Sequence, residues 1–178
     1  MKINRTVHHV FLENGKPHQL NQFNDGKERF PGMMEGPVLM TLNPALSEQA
    51  FHTEEFEIYS ENEDFVNISI NLCLDKKPPN PVIDLKNGGR KRILQYLRDS
   101  AGLEYSYRKG TSVDITPLGL DPIKGRFSLI NRFAVRGSFK IVDVDLFSKA
   151  LTGGVGRRFS YGYGMMMIRQ QELAVTEK

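Results

Sequence analysis

Cysteine is nearly absent from this chain of 178 residues. The single Cys73 cannot form an internal disulfide, and its place in an apolar run marks it as a small buried side chain rather than a nucleophile. That pattern fits a reducing cytoplasm. Long apolar runs are missing as well. None approaches the ~20 residues needed to span a bilayer, and the polar start MKINRTVHH does not read as a secretory signal, so neither export nor a membrane partner is expected. A large charge excess is also lacking: the net charge is +3 and the pI about 9.0, compatible with nucleic-acid binding without establishing it. Familiar nucleotide and metal motifs are absent too. No Gly-Lys-Ser/Thr follows the glycine-rich stretch, which precedes a strand rather than a helix, so it is neither a P-loop nor a dinucleotide fingerprint. The histidines show no metal-ligand spacing with one another or with Cys73, and no carboxylate pair of the phosphodiesterase kind occurs. No metal or cofactor is expected.

What is present is uneven charge and one glycine-rich loop. Cations gather at 86–98, 132–140 and Arg157/Arg158, whereas acids collect at 48–64, so the second half is the basic one. The loop is GGVGRRFSYGYGMMM at 153–167, with Gly154, Gly156, Gly162 and Gly164 spaced around Arg157 and Arg158. Glycine at these points permits positive φ and close backbone approach, which suits a segment lying along a phosphate chain, with two guanidiniums supplying charge. The plainer alternative is a glycine-rich turn ahead of an apolar last strand.

Hydrophobic residues make up 39% of the chain, enough to bury the core of one domain or of two small ones. Residues 1–36 have no stable period; Val7, Val10 and Phe11 form one face of a short helix or part of a strand. Short strands are predicted at 38–42, ended by Asn43-Pro44, and at 56–59. The clearest strand is 66–74, where Val66, Ile68, Ile70, Leu72 and Leu74 alternate with smaller or polar residues. Pro78, Pro79 and Pro81 then mark a boundary or crossover. A helix carrying Ile93, Leu94 and Leu97 follows and stops at Gly102. Its basic entrance at 88–92 opposes the helix dipole, and so reads better as a loop or strand end holding a polyanion. A brief strand is expected at 113–115. From 127 to 141 a second alternation places Arg132, Arg136 and Lys140 opposite the apolar residues, with Asn131 and Gly137 as bends. Asp143 or Asp145 caps a helix whose Leu146, Phe147, Ala150 and Leu151 form a stripe, and the last strand is placed at 161–168.

Strand, helix, paired strands, helix, loop and strand suggest an α+β, ferredoxin-like (RRM-like) domain, a fold whose sheet commonly carries RNA. The expected organisation is two such domains in tandem, a shortened or atypical one at 1–76 and a second at 77–178, with the strand at 66–75 belonging to either. The available chemistry is metal-free: imidazoles near the start, cations near the end, and hydroxyls at Ser160 and Tyr161. A neutral histidine can deprotonate a ribose 2′-hydroxyl, which attacks the adjacent phosphate while fixed cations stabilise the developing charge.

The segment FKIVDVDLFSKALTGGVGRRFSYGYGMM resembles the C-terminal signature of the CRISPR repeat-processing endoribonucleases of the RAMP superfamily, especially the CasE type. NPVIDLKNGGRKR is similar to their Asn-Pro segment followed by Gly-Lys-Arg. The resemblance implies two ferredoxin-like domains, recognition of a repeat hairpin in precursor CRISPR RNA, and metal-independent cleavage at the hairpin's 3′ base. It also implies retention of the mature guide RNA in a Cascade complex beside Cas5- and Cas7-type subunits. Carried onto this chain, it makes Lys86, Arg90, Lys91, Arg92, Gly154, Gly156, Arg157, Arg158, Ser160, Tyr161, Gly162 and Gly164 the RNA-binding set. The family's catalytic histidine lies in the first helix of its N-terminal domain; His8 or His9 is the nearest match. Only seven residues precede His8 and no tyrosine stands beside it, which is why the first domain is expected to be shortened. Two other readings use the same residues: a catalytically inactive scaffolding subunit of the same complex, and a general RNA-binding ferredoxin-like protein.

Overall fold

The computed structural model describes residues 1–12, 30–74, 83–105, 112–118, 131–157, 159 and 162–169. Among them no helix is long and apolar enough to cross a membrane. The chain builds two antiparallel sheets. The first contains β1 (Lys2–Phe11), β2 (Gly32–Glu35), β3 (Val38–Thr41) and β4 (His52–Tyr59), in the order β2-β3-β1-β4. The second contains β5 (Phe65–Cys73), β6 (Leu103–Tyr105), β7 (Val113–Pro117), β8 (Arg132–Ile141) and β9 (Met167–Ile168). Its order is β6-β8-β5-β9, with β7 also paired to β8. In both sheets the first strand lies between the last two, which is the ferredoxin-like arrangement. Both α-helices among the described residues belong to the second half: α1 (Arg90–Ala101) follows β5, and α2 (Val144–Gly153) follows β8. In the first half a 3-10 turn at Pro44–Gln49, capped by Asn43 Oδ1 accepting from the Ala45 N–H at 3.0 Å, stands between β3 and β4.

The long alternations are the parts that form as predicted. Ile68, Ile70 and Leu72 of β5 and Phe133, Val135, Phe139 and Ile141 of β8 are buried beneath Ile93 and Leu97 of α1 and Phe147 and Leu151 of α2. Burying each such side chain contributes about 1.5–3 kcal/mol. Gly102 ends α1 in the left-handed conformation (φ 64°). The Asp143 carboxylate caps α2, accepting from the N–H groups of Asp145 and Leu146 at 3.1 Å each.

Three expectations change. Gly137 is not a bend: it pairs in register with Ile68 on one side and Val113 on the other. Its missing side chain is what admits β7, since a Cβ there would collide with Ser112 O and lie 2.6 Å from Val113 Cα. The last strand is shortened to Met167–Ile168, and β4 starts at His52 rather than at 56. The strand β5, open between the two halves in the sequence, hydrogen-bonds to β8 and β9 and so belongs to the second sheet. The proline cluster at 78–81 lies outside the described residues.

The two sheets share a seam. Gly32 of β2 bridges Gly164, with Gly32 N–H donating to Tyr163 O (3.1 Å) and Met165 N–H donating to Gly32 O (3.2 Å). On its other side Gly164 N–H donates to Asn71 O of β5 at 2.9 Å. Val7, Met33, Met40 and Met165 pack together along this line. Arg5, only 7% exposed, crosses it: Nη1 donates to Leu151 O at the end of α2 (3.2 Å), and the guanidinium lies 5.8 Å from the Phe56 ring centre. Burial pushes this guanidinium down to about 10, so it stays charged at neutral pH. Its Nε has no hydrogen-bond partner among the described residues.

Candidate nucleic-acid interface

The glycine loop leaves α2 and is fastened to the end of β5. Arg157 N–H donates to Cys73 O (2.9 Å), and Val155 N–H donates to Gly164 O (3.0 Å). All four spaced glycines have positive φ, from 87° to 92°. Their close neighbours are protein atoms. A Cβ at Gly156 would stand 2.7 Å from Cys73 O, one at Gly154 2.6 Å from Pro31 Cβ, and one at Gly162 2.8 Å from Met34 Cγ. The glycines therefore let the loop fold tightly onto β5 and the first sheet, and this folding carries Arg157 to the surface.

Opposite Arg157 stands the start of α1. Asp84 Oδ1 accepts from the Lys86 N–H (2.9 Å), the turn Leu85–Gly89 follows with Gly88 at φ 87°, and Arg90, Lys91 and Arg92 form the first helical turn. The basic run is thus a helix start, not only a loop. That turn holds no acidic residue to balance the cations against the positive helix end, an arrangement that costs about 0.3–1 kcal/mol per charge and that a bound anion relieves. Arg90 is committed to the fold: Nη2 donates to Val113 O at 2.9 Å and the guanidinium lies 5.7 Å from the Tyr105 ring centre. Lys86, Lys91, Arg92 and Arg157 are exposed. Lys91, Arg92 and Arg157 line one open cleft of about 500 Å³ with Gly88, Gln95 and Tyr96, floored by Leu74 and Ile83. Its one carboxylate among the described residues, Asp99, accepts from Gln95 Nε2 at 3.0 Å. The two basic sequence blocks, 65 residues apart from Arg92 to Arg157, therefore meet. Arg158, Ser160 and Tyr161 lie outside the described residues.

The positive face of β8 is engaged within the protein instead. Arg132 Nη1 donates to the Tyr163 hydroxyl (2.6 Å), Arg136 donates to Ile70 O (3.1 Å) and Asn71 Oδ1 (3.2 Å), and Lys140 pairs with Glu63. Burial and the neighbouring Arg169 lower the Arg136 guanidinium below its ordinary value. Among the described residues, the charge facing the cleft thus comes from the start of α1 and from Arg157.

His8 and His9 lie on strand β1, not on a helix, and as strand neighbours they face opposite sides of the first sheet. His8 is 6% exposed and its Nδ1 is 2.9 Å from Thr53 Oγ1. Burial, with a smaller contribution from His9, holds its imidazole below the ordinary value of 6.5. His9 Nε2 lies 3.2 Å from Glu54 Oε2, and its ring centre is 5.1 Å from that of His52. Neither histidine lines the cleft. The sequence spacing of the histidines had excluded a metal cluster, yet β1 and β4 bring His9, His52 and Glu54 together. In the sequence only His52 and Glu54 are marked as a pair, by the His-x-Glu spacing that puts both on one face of a strand.

Against known proteins, residues 85–170 match the family model described as CRISPR associated protein. Thermus thermophilus Cse3, solved bound to an RNA representing a pre-cleavage complex, superposes with a TM-score of 0.67 at 15% identity, over 94% of this chain and 99% of that one. The fold is that of Cse3. Escherichia coli K-12 Cas6e superposes with a TM-score of 0.58 at 15% identity over 94% of this chain and 98% of its own. A chain of E. coli Cascade bound to a double-stranded DNA target gives 0.57 at 13%, over 91% and 96%. No curated protein sequence matches. At these identities the superpositions establish the fold across both sheets, and the family match falls on the part holding the cleft's helix and the glycine loop.

Proposed function

We propose that this protein is a CRISPR repeat-processing subunit, cytoplasmic like the complexes it resembles. In this reading it holds the repeat hairpin of precursor CRISPR RNA in the cleft between α1 and the glycine loop. It cuts the RNA without metal and keeps the mature guide RNA inside a Cascade assembly with Cas5- and Cas7-type subunits. The observation that carries the reading is the meeting of Lys91, Arg92 and Arg157 in one groove, in a chain whose fold follows RNA-bound Cse3 from end to end. Lys86 is two residues from Gly88 of that groove, and Arg158, Ser160 and Tyr161 follow Arg157 in sequence. In the cleavage step a base takes the 2′-hydroxyl proton, the freed oxygen bonds to the adjacent phosphorus, and the 5′-oxygen leaves with a proton from an acid. The products are a 2′,3′-cyclic phosphate and a 5′-hydroxyl, while Arg157 and its neighbours stabilise the charge on the phosphate.

His9 is the more reachable of the two expected bases. A third candidate arises because β1 is a full strand: the family's histidine follows the first strand, and His18 comes seven residues after Phe11. A second reading, the RNA-binding scaffold that does not cut, is favoured by the position of His8 and His9 on a strand away from the cleft. The test is cleavage of a labelled repeat RNA in EDTA by the wild type and by His8→Ala, His9→Ala and His18→Ala, with a substrate lacking the 2′-hydroxyl at the cut. Metal-free cleavage that needs the 2′-hydroxyl and falls on the order of 10²-fold or more in one variant supports the nuclease. Tight hairpin binding with no cleavage by the wild type supports the scaffold. Failure to prefer a hairpin removes both.

A further inference from the structure

The cluster on the first sheet has a chemistry of its own. His52 and Glu54 are two apart on β4 and so share a face, and His9 lies directly opposite His52 on β1. The Glu54 carboxylate already reaches both imidazoles, with Oε2 3.2 Å from His9 Nε2 and Oε1 3.5 Å from His52 Nε2. One ligand atom from each residue lies within 4.8 Å of the others. Around a tetrahedral ion with ligand bonds of about 2.0–2.2 Å, neighbouring donors stand roughly 3.4 Å apart. Each carboxylate–imidazole separation is close to such an edge, through Oε2 toward His9 and through Oε1 toward His52, so the carboxylate stands between the two imidazoles with one oxygen for each. Two paired strands hold the donors, so little rearrangement is needed to admit an ion. Solvent reaches the site through His52, whose side chain is 54% exposed, while His9 at 17% lies deeper, flanked by the ring of Phe51.

We propose that His9, His52 and Glu54 form a binding site for one first-row divalent transition metal ion, with Zn²⁺ as the representative species. Two imidazoles and one carboxylate suit such an ion better than Mg²⁺ or Ca²⁺, which take oxygen ligands. Three protein ligands leave a position open to water or an incoming donor. By tying β1 to β4 the ion reinforces the first sheet. The site lies outside the cleft and shares only His9 with the candidate bases, and its occupancy is measured without RNA, so the proposal stands or falls independently of the nuclease reading.

The test is titration of the EDTA-stripped, dialysed full chain with Co²⁺, read by its visible absorption, followed by displacement with Zn²⁺ and by calorimetry. The expected result is one equivalent bound with a tetrahedral-type spectrum. Glu54→Gln, which keeps the side-chain shape, and His52→Ala, at an exposed position, should each weaken binding tenfold or more. Both should leave the metal-free melting temperature close to that of the wild type. His8→Ala, on the opposite face, should bind as the wild type does. At a free Zn²⁺ concentration 100 times the dissociation constant, the folded-to-unfolded ratio of the wild type should rise about 100-fold. Absence of saturable binding, or stoichiometric binding unchanged in both Glu54→Gln and His52→Ala, overturns the proposal.

Discussion

Replacing Gly156 by alanine tests whether the glycine loop is shaped for its own fold or for a ligand. At φ 89° an alanine costs roughly 1–2 kcal/mol, since its Cβ crowds the following carbonyl. The added methyl would also lie 2.7 Å from Cys73 O and 2.9 Å from Leu72 Cδ1. Neither can retreat easily: the carbonyl is held by the Arg157 N–H at 2.9 Å, and Leu72 is fully buried. Overpacking of this kind costs about 1–3 kcal/mol. Together they give a loss of roughly 2–5 kcal/mol, or on the order of 10 °C in a protein of this size. Two alanines serve as references in the same thermal melt. Gly88 has φ 87° with nothing within 4 Å, so Gly88→Ala should show the backbone cost alone; Gly153 has open space and no such φ, so Gly153→Ala should show no loss. A Gly156→Ala protein that melts with Gly153→Ala, but binds repeat RNA poorly, would refute the packing argument and return this glycine to phosphate contact.

Lys91→Ala, Arg92→Ala and Arg157→Ala should each lower the slope of log affinity against log salt for hairpin RNA by about 0.7–1, while Arg90→Ala should lower the melting temperature and leave the slope unchanged. An altered slope only for Arg90→Ala would move the interface to the other side of α1. Arg5→Met, which fills the same volume without a buried charge, should stay within about 1 kcal/mol of wild type in urea unfolding, whereas Arg5→Ala should lose about 2–4 kcal/mol by leaving a cavity. A Met variant as unstable as the Ala variant would show that the charge on Leu151 O is what matters. The folded imidazole of His8 titrates below its ordinary 6.5, so the native state binds fewer protons than the unfolded chain beneath that pH. Stability should be full above about pH 6.5 and decline as pH falls through the window below it. His8→Asn, measured with wild type in EDTA, should flatten that decline, and an unchanged slope would reject the burial argument.

Strands and helices with a sustained period were legible in the sequence because their pattern reports burial directly. The alternation of β5 and β8, the stripe of α2, its Asp143 cap and the Gly102 stop all appear where expected. β1 was not legible, because it is buried on both faces: Val7 packs with Met33 and Met40 while Val10 packs with Leu39 and Leu46, which erases the alternation. Gly137 was misread since a glycine admitting a neighbouring strand and a glycine making a bend look alike in sequence. The cleft was half legible: its cations were named from two blocks, but their meeting, and the diversion of Arg90 to Val113 and Tyr105, depend on three-dimensional packing. His9, His52 and Glu54 were unreadable together, because strand register carries no mark in spacing along the chain.

The seam at Gly32 and Gly164 bears on how the molecule comes apart. Residues 163–165 are hydrogen-bonded to β2 on one side and to β5 on the other, and beside them Met165 packs with Val7, Met33, Met40, Leu42 and Phe56 of the first half. Neither half can therefore lose its structure without uncovering apolar surface and stranding backbone amides in the other. The expected outcome is a single cooperative unfolding transition for the pair, in which tightening of the basic cleft by a bound polyanion protects amides in the first sheet as well as in the second.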